Sequence, residues 1–145
     1  VEKYIALGQE EGAKLALGGN GMPEGLEHGW YVRPTIFADV TNDMTIAREE
    51  IFGPVLTILG AKDEAEAVKI ANDTPYGLGS YVFTTDAEQA ARVADKIDAG
   101  MVYVNVVGAD GVELPFGGVK RSGFGRELGR FGIDEFVNKK LIRIG

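Results

Sequence analysis

The sequence predicts an α/β fold organised around parallel strands, and three observations carry that prediction. From Val55 to Val106 the order runs strand, helix, strand, helix, strand, the alternation that a parallel sheet requires because each return crossing is made by a helix. The two helices open on acid-rich cap signals, Asp63-Glu64-Ala65-Glu66 and Thr85-Asp86-Ala87-Glu88. Glycine is 21 of 145 residues, about twice its usual share, which implies many tight turns. Three strands and two helices are too few for a complete doubly wound domain. A parallel sheet is apolar on both faces, so this chain is expected to expose surface that further sequence covers.

The elements follow in order. Val1, Tyr4, Ile5 and Gly8 share one face of a helix that Gly12 stops. Lys14–Leu17 alternates polar and apolar as a strand does, and Gly18-Gly19-Asn20-Gly21 turns the chain. Gly29–Phe37 is rich in β-formers, and Pro34 within it points to an edge position. Asn42–Glu50 reads as a short helix and Val55–Leu59 as an apolar strand. In the next helix Ala65, Val68 and Ala71 form the stripe predicted to be buried, and Asn72–Pro75 ends it. In the helix after that, Ala90, Val93, Ala94 and Ile97 share a face, the opening is a capping box, and Gly100 closes it. Ser80–Thr84 and Met101–Val106 are strand-like, and right-handed crossovers place both helices on one face of the sheet they join.

Bulk properties narrow the function. The length suits one domain, and an apolar content of 45% suits a globular core. A net charge of −7 disfavours nucleic acid, since phosphate neutralisation needs a basic face. No apolar run approaches the roughly 18 residues of a membrane span. Cysteine is absent, which removes disulfides, zinc thiolates and thiol nucleophiles together. His28 is the only histidine, in a glycine-rich turn beside Trp30; a surface role fits it, and no triad can be assembled. No clustered ligand pattern indicates a metal. The acidic runs 24–27 and 63–66 read as solvated faces.

Two motifs carry chemistry. Leu114–Gly129 holds five glycines, the Pro115-Phe116 pair and three cations in sixteen residues. Glycine is used where φ is positive or where backbone must approach something closely, and the interleaved Phe116, Phe124 and Leu128 argue against disorder. The composition fits either a structural loop clamping two elements or a functional loop. It is not a P-loop, because Arg121 separates Lys120 from Ser122, and Gly123-Phe124-Gly125-Arg126-Glu127-Leu128 lacks the third glycine of a dinucleotide fingerprint. The second motif is Glu49-Glu50-Ile51-Phe52-Gly53-Pro54-Val55. Gly-Pro ends any helix before it, which puts Glu50 and Phe52 at a helix-to-strand corner. A carboxylate there can accept two hydrogen bonds from a vicinal diol, as acidic residues do for riboses; a solvated helix end is the bland alternative.

Together these motifs resemble the aldehyde dehydrogenase superfamily. So do Asn72-Asp73-Thr74-Pro75-Tyr76-Gly77-Leu78-Gly79, Tyr103-Val104-Asn105 and Phe136-Val137-Asn138-Lys139-Lys140. The resemblance covers nearly the whole chain, in family order and spacing. It implies an α/β, incomplete three-layer parallel sheet: the C-terminal part of an aldehyde dehydrogenase catalytic domain, beginning after the catalytic cysteine and the general-base glutamate. A start at Val1 rather than Met agrees with a piece of a longer chain. Residues 1–134 are expected to belong to the catalytic (substrate) domain, and 135–145 to be a closing strand that builds oligomer contacts.

The resemblance also implies roles. Glu50 matches the acid that binds the nicotinamide ribose and Phe52 the aromatic beside the nicotinamide, with NAD or NADP as cofactor; the residues that choose between them lie in the absent nucleotide domain. Val107, Asp110 and Phe116 match the loop lining the aldehyde channel, and Asn105 a supporting residue beside it. In the whole enzyme a cysteine thiolate attacks the aldehyde and hydride passes to the nicotinamide. This chain alone is expected to be inactive. The ending Gly125–Asn138 resembles the succinate-semialdehyde group, yet Asp110 and Glu113 would repel an anionic aldehyde, which leaves a neutral or cationic one open. The implied partners are the aldehyde, the remainder of the enzyme and further copies in a homo-oligomer, without nucleic acid or membrane, and the implied location is cytoplasmic. A non-catalytic assembly module or remnant is the rival reading; a stand-alone phosphate-binding domain fits poorly.

Overall fold

The structure, a computed structural model, describes residues 1–108 and 111–145. The chain divides into two units, Val1–Ala67 and Val68–Gly145.

The first unit begins with α1 (Glu2–Glu10), which ends in Gly12 at φ +92°. There follow β1 (Lys14–Leu17), β2 (Thr35–Ala38), α2 (Thr45–Arg48) and β3 (Val55–Thr57). The sheet order is β1-β2-β3, with β1 antiparallel and β3 parallel to β2. Ile5, Ala13, Phe37, Val40 and Ile46 form the core. The predicted α1 face is the one that turns inward, with Ile5 and Gly8 buried and Val1 and Tyr4 packed at its rim. Gly8 has a reason to be glycine, since a Cβ there would stand 3.0 Å from both Ile46 Cδ1 and Phe37 Cζ. Buried Thr35 is satisfied: its hydroxyl donates to Arg33 O at 2.9 Å and accepts from Gly19 N at 3.1 Å.

Several expectations need correction. Pro34 does not mark an edge: it immediately precedes β2, the central strand. The missing proline N–H costs nothing there, because the ladder starts at Thr35, whose N–H donates to Pro54 O at 2.8 Å. The helix predicted over 42–50 is only α2, since the backbone at Glu49 is already extended. β1 forms, but all four of its residues are exposed.

The second unit takes in most of α3 (Glu64–Asn72), which crosses the boundary between the units, then β4 (Gly79–Val82), α4 (Ala87–Lys96) and β5 (Met101–Val104). β4 and β5 pair in parallel across α4, in register from Gly79↔Met101 to Val82↔Val104. The parallel pairing across α4 is as expected, but β3, expected in the same sheet, does not join it, so α3 makes no crossover within one sheet. It pairs with β2 instead, and Ile58 N continues that contact by donating to Phe37 O at 2.8 Å. A strand–helix–strand order establishes a parallel sense without saying which edge a strand will use.

Both helix starts are capped by aspartate. Asp63 Oδ1 accepts from Glu66 N at 2.8 Å, while Glu66 reaches back to Lys62 N at 2.7 Å. Asp86 Oδ1 accepts from Glu88 N and Gln89 N at 2.9 and 3.1 Å. The second cap therefore sits one residue later than predicted, on Asp86 rather than Thr85, and the side chain at the third helical position, Gln89, meets the Thr84 hydroxyl. On α4 the predicted face holds, with Ala90 buried and Val93, Ala94 and Ile97 partly so. On α3 the predicted stripe is not buried: Ala65 and Ala71 are exposed and only Val68 is partly covered. The described residues contain no layer that covers that face.

After β5 the chain has little regular structure. Lys120–Ser122 and Ile133–Phe136 are 3₁₀ turns and α5 is Gly129–Gly132. Residues 137–145, read as most of a closing strand, are exposed and carry no strand. A strand exists only through a neighbouring ladder, and the described residues offer this segment none.

Candidate functional site

In the first unit the functional candidates stand on the turn from α2 to β3. Gly53-Pro54 forces an extended exit, and the backbone reverses at Phe52, whose φ is +49°. For a non-glycine residue that conformation costs about 1 kcal/mol or more, and it swings the ring outward, where Phe52 is 87% exposed. The two adjacent acids differ. Glu49 Oε2 accepts a 2.6 Å hydrogen bond from the Tyr4 hydroxyl. Glu50 is exposed, and its side chain makes no hydrogen bond or ion pair among the described residues. The corner thus presents one uncommitted carboxylate and, two residues on, one uncovered aromatic face. A carboxylate with both oxygens available is the acceptor a ribose diol requires, and an exposed ring offers a flat surface to a nicotinamide. The residues present fit that group.

In the second unit Asn105 ends β5 at φ +55° and acts as a false strand residue. Its Oδ1 accepts from Thr84 N at 2.9 Å, its Nδ2 donates to Thr84 O at 2.8 Å, and its own N–H donates to Val82 O at 2.8 Å. It thereby fixes the point where the candidate substrate loop leaves the sheet. Val107 follows, 81% exposed. Asp110, also predicted to contact substrate, lies outside the described residues. Phe116 lines a cleft of about 320 Å³ with Met101, Val102 and Tyr103 of β5, Leu114 and Leu128. Val107 and Asn105 are not among its walls; Asn105 instead borders a hollow with Phe83 and Val104. The first cleft is apolar, and Tyr103 stacks on Tyr81 with ring centroids 5.4 Å apart.

The glycine loop resolves into a clamp. Phe116 and Glu127 bond backbone to backbone in both directions at 2.8 and 2.7 Å. Gly77 O accepts from both Gly100 N and Val119 N at 2.9 Å, and Gly77 N donates to Ser122 Oγ at 3.0 Å. Lys120 Nζ donates to Asn72 O at 2.8 Å, and Arg126 Nη1 donates to the carbonyls of Gly118 and Gly125. Two of the motif's three cations are therefore committed to carbonyl groups, which removes them from any phosphate cradle. Among the described residues no group of acids and histidines could hold a metal ion, and no helix is long and apolar enough to cross a membrane.

Sequence reasoning missed Tyr4 as the residue that separates Glu49 from Glu50, as well as the cleft walls Met101, Tyr103 and Leu128. The helical spacing of Tyr4 was visible, but nothing in the sequence named its partner.

The aldehyde dehydrogenase family model matches residues 1–142. A curated protein of Staphylococcus saprophyticus, named as a candidate aldehyde dehydrogenase, is 54% identical over 142 residues, which are 98% of this chain and 30% of that protein. An aldehyde dehydrogenase of Mycobacterium tuberculosis, solved with NAD⁺, superposes with a TM-score of 0.89 at 50% identity over 93% of this chain and 28% of its own. An aldehyde dehydrogenase mutant of Pseudomonas syringae, solved with NAD⁺ and octanal, gives the same TM-score, identity and coverage. The chain spans about 30% of the length of the curated relatives it matches. With matched motifs, fold and family model in agreement, this chain belongs to the aldehyde dehydrogenase family.

Proposed function

We propose that this chain is the C-terminal part of an NAD(P)-dependent aldehyde dehydrogenase that oxidises an aldehyde to a carboxylic acid. In this reading it supplies the grip on the nicotinamide ribose and the wall of the aldehyde channel, while the catalytic thiol lies elsewhere in the enzyme. The observation that carries the reading is the asymmetry of the acid pair, with Glu49 held by Tyr4 and Glu50 left uncommitted beside the exposed Phe52. NAD⁺ in the solved relatives supports the cofactor class. The bound cofactor supplies hydride acceptance; Glu50 accepts hydrogen bonds from the ribose hydroxyls, and Phe52 keeps water from one face of the ring. Holding reacting groups in place in this way lowers the barrier without taking part in bond making. Lacking any thiol, this chain alone is inactive.

The tail motif favours succinate semialdehyde. The apolar cleft walls and the exposed Glu113 favour a neutral aldehyde instead, in keeping with the octanal bound by the Pseudomonas relative. We take the neutral aldehyde as the better substrate, because burying an unpaired carboxylate near another is costly. The segment 135–145 is assigned to oligomer contacts through its exposed Phe136, Leu141, Ile142 and Ile144, and the enzyme to the cytoplasm.

The test is Glu50→Gln in a full-length enzyme carrying this segment, assayed with octanal and with succinate semialdehyde. Hydride transfer should slow by about tenfold or more, as expected when a positioning contact is lost, and octanal should be the faster substrate. Wild-type transfer rates in the variant would remove Glu50 from the site and favour an assembly role for the segment.

A further inference from the structure

The α1 helix touches the Glu50–Phe52 corner and the helix leading to it at four points, in antiparallel order. Val1 packs on Gly53 so closely that a Cβ on Gly53 would stand 2.5 Å from Val1 Cγ2. The Tyr4 hydroxyl donates to Glu49 Oε2 at 2.6 Å. Gly8 admits Ile46, whose Cδ1 lies 3.0 Å from where a Gly8 Cβ would be. Glu11 receives Thr45 at both of its oxygens, the backbone N–H on Oε2 at 2.8 Å and the hydroxyl on Oε1 at 2.5 Å. Residues 1, 4, 8 and 11 lie three, four and three apart, the spacing of one helical stripe. They meet residues 53, 49, 46 and 45 in turn.

Two of these contacts do what the local sequence cannot. The residue before α2 is Met44, which has no side-chain oxygen and makes no cap; Glu11 supplies the missing acceptor from another element. Glu49 and Glu50 are adjacent like charges, and Tyr4 engages only the first. Phe52 sits in a conformation that L-residues disfavour, and such a residue persists only where its surroundings over-determine it. The stripe holds the chain on either side of Phe52, with Tyr4 bonded to Glu49 before it and Val1 packed on Gly53 after it.

We propose that Tyr4 and Glu11 are positioning residues for the cofactor corner: α1 clamps both ends of α2, and this orients Glu50 and Phe52 toward the nicotinamide ribose. The inference rests on the cofactor reading of that corner. It adds that the geometry of the corner is set by a helix whose own residues do not touch the cofactor.

The experiment uses a full-length enzyme carrying this segment and four variants: Tyr4→Phe, Glu11→Gln, Glu50→Gln and the double variant Tyr4→Phe/Glu50→Gln. It reads the dissociation constant of NAD⁺, kcat, KM for NAD⁺ and for octanal, and hydrogen exchange of residues 45–53. Tyr4→Phe and Glu11→Gln should each lower kcat/KM for NAD⁺ by about three- to tenfold, as misplacement of a positioning group does, and speed exchange at 45–53. KM for octanal should stay within about twofold of wild type, because the change is confined to one site. On the Glu50→Gln background Tyr4→Phe should add little, since a residue that acts through another is non-additive with it. Equal losses for NAD⁺ and octanal, or a Tyr4→Phe loss that adds in full to that of Glu50→Gln, would make the clamp merely structural and overturn the proposal. A defective Glu50→Gln beside a silent Tyr4→Phe and Glu11→Gln sinks this inference alone. A silent Glu50→Gln sinks the cofactor reading and this inference with it.

Discussion

The two units of this chain are held together by different physics. Val1–Ala67 has a conventional core: Ile5 and Phe37 are fully buried, Val40 and Ile46 nearly so, and α1, α2 and the sheet converge on them. In Val68–Gly145 the only buried apolar side chain among the described residues is Ala90. What orders that unit instead is a lattice of backbone bonds through Gly77, Gly100 and the glycine loop, with side chains such as Asn105, Ser122 and Lys120 serving as extra backbone partners. Hydrophobic burial is non-directional, so the first unit is fixed by how its side chains fill space, as at Gly8, where a Cβ would crowd Ile46 and Phe37. Hydrogen bonds are directional, so the second depends on exact approach distances. That difference suits a segment that must hold loops rather than fill a volume.

The strongest way to break the comparison is at Phe37. Truncation to alanine in the full-length enzyme should cost about 3–5 kcal/mol and speed hydrogen exchange throughout 1–67. The amides of β4 and β5 should change far less. Equal loss of protection in both segments would mean that the two share one source of stability.

The complementary variant is Gly100→Ala. A Cβ there would stand 1.9 Å from Gly117 O and 2.8 Å from Gly118 Cα, and neither is the yielding end of a side chain. Relief requires the backbone to part, which costs about 1–3 kcal/mol on the scale of overpacked sites. The expected signature is faster exchange at Val119 and Met101, whose N–H groups donate to Gly77 O and Leu78 O, with the cleft beside Phe116 widened. An unchanged exchange pattern in 77–79 and 117–119 would show that the glycine lattice is not what holds the second unit.

Legibility from sequence divides along the same line. The α1 face, the α4 face and the existence of both helix starts were readable because periodicity and capping are local, although the cap of α4 falls on Asp86 rather than on Thr85. The parallel sense of β4 and β5 was readable from the intervening helix. The choice of β2 as partner for β3 was not, since strand pairing is settled by long-range contacts. The stripe of α3 was misread because a pattern shows which face is apolar, never whether something is there to cover it. At the candidate site, the motifs and the family they resemble named Glu50, Phe52, Asn105 and Phe116. It did not show that Tyr4 engages Glu49 and leaves Glu50 uncommitted, that Asn105 imitates a strand residue, or that Val107 stands apart from the Phe116 cleft. Each of those depends on where a side chain meets a distant backbone, information carried by the fold rather than by any window of residues.

The smallest effect sharpens the contrast most finely. In a unit with so little burial, a helix cap represents a larger fraction of what holds the structure. Asp86 supplies two of the bonds that α4 cannot make for itself, to the N–H groups of Glu88 and Gln89. Its loss in Asp86→Ala should cost about 1 kcal/mol, seen as severalfold faster exchange over 88–93. Asp86→Asn, which keeps an acceptor oxygen, should retain most of the protection. Because α4 packs on β4 and β5 through Ala90 and its partly buried neighbours rather than through a deep core, the disturbance should reach the amides of β5. If exchange changes only in the first turn of α4, the helix is held by its packing and the backbone lattice ends at β4.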